Sequence, residues 1–121
     1  MTHSGAAFDP SATLGRVQND LVFLKEIIQL FAAESSSLLN EVRQSIQRSD
    51  AALLERSAHT LKGAVANFGA KPAFEAAYRL EVMGQQSKFA RAAEACIELE
   101  KEIGRLNQAL AQFAREHKLP A

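Results

Sequence analysis

Residues 50–70, DAALLERSAHTLKGAVANFGA, are the stretch that decides the fold. Apolar residues recur in it at alternating spacings of four and three positions, which is the pattern of a helix that buries one face. Asp50 is a residue type that caps the N terminus of a helix, and Gly69 supplies the left-handed backbone that ends one. We therefore predict one helix between these two residues. Its predicted core positions are Leu54, Ala58, Leu61, Val65 and Phe68.

Helical periodicity also dominates on both sides of this stretch, and strand-like alternation of apolar and polar residues is almost absent. A short helix is predicted to start at Asp9-Pro10, and a long one to run from Asp20 to about Ser49. A fourth helix starts at Lys71-Pro72 and ends near residues 86–88, where the last helix follows. The predicted core positions of these helices are Leu14, Val17, Leu24, Ile27, Ile28, Phe31, Ser35, Leu38, Leu39, Val42, Ile46, Phe74, Ala77, Tyr78, Leu80, Ala92, Cys96, Leu99, Ile103, Leu106, Leu110 and Phe113.

Helices that are joined by short connections pack antiparallel to their sequence neighbours, because each buries its apolar stripe against the next. The predicted fold class is therefore all-α: an antiparallel up-down four-helix bundle with a short N-terminal helix across one end. A chain of 121 residues fits one domain. We predict a flexible N terminus over residues 1–7, the bundle over residues 8–117 and a C-terminal tail over residues 118–121.

Composition and charge exclude several classes of function. Lys plus Arg is 14 and Asp plus Glu is 14, so the formal net charge is zero and the electrostatic footprint of a nucleic-acid binder is missing. No apolar run approaches the roughly 20 residues that span a bilayer, and the first residues lack the basic segment of a secretory signal. The one Cys, Cys96, favours a reducing compartment and lies on an apolar stripe, as a structural thiol does. We expect a cytoplasmic protein without a membrane or nucleic-acid partner.

His59 is the first candidate functional residue, because helical geometry turns it away from the core. A helix rotates about 100° per residue, which places His59 about 140° from the centre of the apolar stripe. Lys62 lies one turn further on, and Gly63 and Ala66 lie within about 40° of the direction of His59. A glycine inside a helix costs about 1 kcal/mol relative to alanine, so Gly63 indicates that another molecule approaches closely there. The alternative is a solvated surface histidine without a function.

Glu81 is the second candidate, because the predicted fourth helix aims this carboxylate into its own apolar stripe. A desolvated charge is costly unless it finds a partner, and an imidazole N–H of the neighbouring helix would serve. A carboxylate that accepts from Nδ1–H fixes the tautomer of His59 and leaves Nε2 as the outward nucleophile. The alternative is a glutamate at the edge of the bundle that reaches water.

Three short motifs resemble one known family. They are His59-Thr60-Leu61-Lys62-Gly63, Asn67-Phe68-Gly69-Ala70 and Leu80-Glu81. In this order they resemble the histidine phosphotransfer (HPt) family, and the resemblance covers most of the chain, from about Phe8 to the last helix. The sequence departs from the family pattern in two places: Gln18-Asn19 precedes Asp20 where Gly-Gly is common, and Gln85 stands where some members have a basic residue. Neither touches the expected phosphoryl acceptor, and both bear on receiver preference.

The resemblance implies a phosphocarrier of two-component phosphorelays. His59 would accept a phosphoryl group from a receiver-domain phospho-aspartate and pass it to another receiver aspartate. Lys62 would neutralise phosphoryl charge and Glu81 would orient the imidazole. Gly63, with Ala66 and Glu55, would form the surface on which the receiver docks. We expect no cofactor on this chain, with Mg²⁺ on the receiver, no autonomous kinase activity because no ATP-binding motif is present, and a monomer.

Three other hypotheses are open at this point. Glu55 and His59 stand four residues apart on one helix, a spacing that can hold a cation, but two ligands are too few and His3 and His117 lie near opposite ends of the chain. A non-catalytic interaction bundle with an incidental surface histidine is a second hypothesis. A thiol function of Cys96 is the third, and it is disfavoured by the position of Cys96 on an apolar stripe.

Overall fold

A computed structural model describes residues 6–117 of the chain, which form five α-helices and no strand. The helices are α1 (Pro10–Arg16), α2 (Leu21–Arg48), α3 (Ala51–Ala66), α4 (Lys71–Gln85) and α5 (Ala92–Glu116). The predicted all-α fold class is confirmed, and each helix starts and ends within a few residues of its predicted position. The predicted C-terminal tail, 118–121, and residues 1–5 of the predicted flexible N terminus lie outside the described residues. The domain boundaries therefore stay predictions.

Three aspartates start the first three helices, as the sequence predicted. The Asp9 carboxylate accepts from the amide of Ala12, and Asp20 accepts from the amide of Phe23 at 3.0 Å. Asp50 likewise accepts from the third amide of α3 at 3.1 Å. Each cap satisfies an amide that lacks a partner inside the helix and contributes about 1 kcal/mol.

Gly69 ends the turn after α3 and also fixes the position of α1. Its φ is +59°, and a Cβ placed on it would lie 2.8 Å from the Cβ of Asp9, the residue that caps α1. The amide of Asp9 donates to the carbonyl of Phe68 at 2.9 Å, so the start of α1 is bound directly to the end of α3. Phe8 packs edge-on against Phe113 of α5, which places α1 across one end of the bundle.

The four long helices form a ring in which α3 packs on α2 and α4, and α5 packs on α4 and α2. Their connections are short, so neighbours in sequence run antiparallel. One apolar core fills the ring, and Cys96 belongs to it. Burial raises the pKa of the Cys96 thiol, which agrees with a structural thiol rather than a reactive one.

The buried face of α4 differs from the predicted one. Phe74 and Tyr78 are 37% and 50% exposed, so their placement in the core was wrong. The residues that α4 buries are mostly small: Ala73, Ala76, Ala77, Leu80, Glu81 and Gly84. The backbones of α3 and α4 approach closely, and large aromatic rings do not fit between them. The two rings therefore lie at the edge of the interface, beside the candidate site.

Candidate functional site

His59 lies in the middle of α3 with its imidazole on the outer face, as the helical angle predicted. Its side chain is 66% exposed. The neighbouring core residues Ala58 and Leu61 are fully buried, so α3 cannot rotate to bury His59 without exposing them. The packing of α3 therefore keeps the imidazole on the surface of the bundle.

Glu81 contacts the inner nitrogen of this imidazole. Its Oε2 lies 2.8 Å from His59 Nδ1, although Glu81 belongs to α4 and is only 5% exposed. An ionised carboxylate only accepts hydrogen bonds, so the proton in this contact belongs to Nδ1 and the lone pair of the ring to Nε2. The contact predicted from the sequence is therefore present, and it leaves Nε2 facing outward.

Lys62 contacts the other oxygen of the Glu81 carboxylate. Its Nζ lies 2.8 Å from Glu81 Oε1, and its side chain is 19% exposed. The resemblance implies that Lys62 neutralises phosphoryl charge on His59, and the structure places its ammonium against the buried carboxylate of Glu81. Burial raises the pKa of the Glu81 carboxyl, but the contacts with Lys62 and His59 outweigh it, and the pKa lies below its ordinary value.

Two aromatic rings of α4 flank the Lys62 ammonium. Lys62 Nζ lies 5.1 Å from the ring centre of Tyr78 and 5.7 Å from that of Phe74. Both distances suit a cation–π interaction, which holds the ammonium next to Glu81. Sequence reasoning missed this role because it placed both rings in the core. Their four-residue spacing on α4, with Tyr78 three residues before Glu81, is the signal that points to it.

The predicted docking residues surround His59 on two sides. A Cβ placed on Gly63 would have no heavy atom within 4 Å, so the surface next to the imidazole is open. Ala66 is partly buried one turn further along α3. On the opposite side, Glu55 and His59 line a shallow depression of about 350 Å³, whose floor includes Glu81.

An apolar groove of about 350 Å³ continues this surface toward α2. Asn67, one turn after Gly63, forms one wall with Ala64. Phe23 and Leu30 of α2 form the other wall, and both are exposed to an extent unusual for large apolar side chains.

The fold brings no further metal ligand to Glu55 and His59 within the part of the chain that the structure describes. Within residues 6–117, no group of three or more His, Cys, Asp or Glu side chains is arranged to hold a metal ion. The same part of the chain has no helix that is both long and apolar enough to cross a membrane.

The fold and the site together define a helical-bundle protein with an exposed histidine whose Nδ1 is held by a buried glutamate. The family model described as the Hpt domain matches residues 26–116, which is most of the chain, and the chain therefore belongs to the Hpt family. The structure is similar to the crystal structure of histidine-containing phosphotransfer protein B from Pseudomonas aeruginosa PAO1. That similarity has a TM-score of 0.85 at 20% sequence identity and covers 92% of this chain and 96% of the other. A search of curated proteins finds no match.

Family membership settles the general function. Hpt proteins act in histidine phosphotransfer within phosphorelays, where they are phosphocarriers rather than kinases and interact with receiver domains. The function predicted from the three motifs is thus confirmed at this level.

Proposed function

We propose that His59 is the phosphoryl acceptor and donor of this chain, with Nε2 as the reacting atom. The observation that carries the proposal is the 2.8 Å contact between Nδ1 and the buried Glu81 carboxylate, on a side chain that is otherwise exposed. His117 also has its Nδ1 bound, to the carbonyl of Phe113, but its ring is stacked on the Phe113 ring at 3.9 Å. His117 is also exposed, but no carboxylate holds its Nδ1, and one face of its ring is covered by Phe113.

In the proposed transfer, the Nε2 lone pair attacks the phosphorus of a receiver phospho-aspartate in line with the leaving oxygen. The N–P bond forms as the P–O bond breaks, and the electron pair of that bond leaves with the aspartate carboxylate. Positive charge develops on the ring, and Glu81 stabilises it through the Nδ1 proton. Transfer to the next receiver is the same step in reverse.

Lys62 is proposed to neutralise charge on the phosphoryl group. In the unphosphorylated protein its ammonium is held by Glu81 Oε1. A phosphoryl group on Nε2 offers anionic oxygens that compete with this carboxylate, and the four-carbon stem of lysine is flexible enough to follow them. Once Lys62 has moved to the phosphoryl oxygens, the negative charge of Glu81 would be shared with no other cation than the imidazolium of His59.

The receiver is proposed to dock over Gly63, Ala66 and Glu55, and to extend onto the groove formed by α2 and α3. Mg²⁺ and the remaining catalytic groups would come from the receiver, so this chain needs no cofactor of its own and would not phosphorylate itself with ATP. We further propose a cytoplasmic monomer, because transient docking suits a small accessible face and the single Cys is buried.

The experiment is phosphoryl transfer from a pre-phosphorylated receiver domain to wild-type protein, His59→Gln and the control His117→Gln. We expect acid-labile, alkali-stable label on wild type and His117→Gln and none on His59→Gln, with all three equally helical. Label on His59→Gln would move the acceptor elsewhere. Absence of label on all three, across several receivers and with ATP plus a kinase, would favour the non-catalytic interaction bundle.

A further inference from the structure

Gly84 is the point at which the backbones of α3 and α4 touch. It is buried in α4, and a Cβ placed on it would lie 2.6 Å from the amide nitrogen of Glu55 and 2.9 Å from its Cα. The carbonyl oxygen of Ala51 would be 3.0 Å away. All three are backbone atoms, so no side chain can turn aside to make room. The two helices approach this closely only because residue 84 has no side chain.

This contact lies directly beside the candidate site. Gly84 follows Glu81 by three residues, and Glu55 precedes His59 by four. Because α3 and α4 run antiparallel, both steps lead in the same direction, a distance of about 5 Å along the helix axes. The helix separation at Gly84 therefore also determines how far Glu81 stands from His59.

We propose that Gly84 is a positioning residue for phosphotransfer, because it sets the distance between His59 Nδ1 and the Glu81 carboxylate. The inference rests on the proposed role of His59. Non-bonded atoms approach to about 3.5 Å, so a methyl group at residue 84 would push the backbones apart by roughly 1 Å. A displacement of that size would stretch the 2.8 Å contact out of hydrogen-bonding range.

Other helical glycines show that this contact is particular to Gly84. A Cβ on Gly15 of α1 or on Gly104 of α5 would have no heavy atom within 4 Å. Alanine at either position would fit, and it would raise helix stability by up to about 1 kcal/mol. Gly104→Ala therefore serves as the matched control for Gly84→Ala. Gly15→Ala provides a more stable chain in which both can be compared.

The test compares Gly84→Ala with Gly104→Ala, and both are made in a chain that also carries Gly15→Ala. A third variant combines all three substitutions, so that two stabilising alanines accompany the change at residue 84. Circular dichroism reports folding, and ¹⁵N NMR of the imidazole reports whether the proton is fixed on Nδ1. We expect Gly84→Ala to remain helical, to lose the fixed Nδ1 proton and to accept phosphoryl groups on the order of 10-fold to 100-fold more slowly. Gly104→Ala should leave the NMR signature and the rate unchanged.

A double-mutant cycle with Glu81→Ala separates positioning from a general effect on packing. If Gly84 acts through Glu81, Gly84→Ala should slow transfer no further once Glu81 is absent. An equal loss of rate in both backgrounds would overturn the inference, as would an unchanged Nδ1 signature or failure of the triple variant to fold. The NMR readout involves no phosphoryl group, so it tests Gly84 even if His59 were not the acceptor.

Discussion

Replacement of Glu81 by alanine removes the carboxylate that holds the Nδ1 proton of His59. The lost hydrogen bond is 2.8 Å long, involves a carboxylate and lies on a side chain that is only 5% exposed. Hydrogen bonds to charged groups contribute about 1.5–3 kcal/mol, and about 1.4 kcal/mol corresponds to a tenfold change in rate. We therefore expect Glu81→Ala to slow phosphoryl acceptance roughly 10-fold to 100-fold.

Glu81→Gln is the conservative control, because its amide oxygen still accepts from Nδ1. It loses the negative charge but retains the orientation of the ring, so its rate should lie between those of wild type and Glu81→Ala. Rapid-quench measurements with a phosphorylated receiver, and with a small-molecule phosphoryl donor, should show the same order. Both donors are needed because the defect is one of chemistry and not of docking. A Glu81→Ala rate within about twofold of wild type with both donors would refute this reasoning.

Four further predictions concern Lys62, Gly63, Gly69 and the effect of pH on Glu81. Lys62→Ala should slow transfer from a receiver while leaving His59 as the site of labelling, because it removes a cation and not the nucleophile. Gly63→Gln should block transfer from a receiver but leave labelling by a small donor nearly intact, because it fills the open surface beside the ring. Gly69→Ala should lower the free energy of unfolding by at least about 1–2 kcal/mol in urea titrations, since it combines a positive φ with a contact against Asp9. Because the folded-state pKa of Glu81 lies below its ordinary 4.5, this group stabilises the fold above that pH and the contribution is lost as the pH falls through the folded-state pKa. The stability advantage of wild type over Glu81→Gln should accordingly shrink in acid.

Each of these predictions has an outcome that contradicts it. An unchanged transfer rate in Lys62→Ala would remove its role in neutralising the phosphoryl group. Equal failure of Gly63→Gln with receiver and small donor would make Gly63 structural. A fully stable Gly69→Ala would show that the turn can relax away from α1. A difference between wild type and Glu81→Gln that stays constant below pH 4.5 would mean that Glu81 gains nothing from its partners in the folded state.

Most of the fold follows from local rules that the sequence displays directly. Asp9, Asp20 and Asp50 cap helices because their carboxylates accept from amides three residues ahead, a property of the local chain alone. The four-and-three spacing of apolar residues in α3 fixes which side faces the core, and with it the outward direction of His59. The angle of Glu81 on α4 indicated a buried carboxylate that needs a partner, and the contact with the imidazole is present, although two residues of the stripe used for that inference, Phe74 and Tyr78, lie outside the core.

The features that the sequence did not predict depend on how two helices meet. The apolar stripe of α4 was predicted from the angles of its apolar residues around the helix axis, without regard to their size. Phe74 and Tyr78 were therefore placed in the core of α4. The close approach of α3 and α4 at Gly84 admits only small residues there, and this approach is a tertiary property. The contact between the Lys62 ammonium and Glu81 was also not predicted, because it depends on the distance between α3 and α4 and not only on the angle of Lys62 on its own helix.

The central claim, that His59 Nε2 accepts the phosphoryl group while Glu81 holds Nδ1, is tested most directly by NMR of the phosphorylated protein. Uniformly ¹⁵N-labelled chain, phosphorylated by a receiver domain, would be examined for coupling between phosphorus and each imidazole nitrogen. We predict coupling of phosphorus to Nε2 of His59, with a proton retained on Nδ1. Coupling to Nδ1 of His59, or to a nitrogen of His117, would contradict the account.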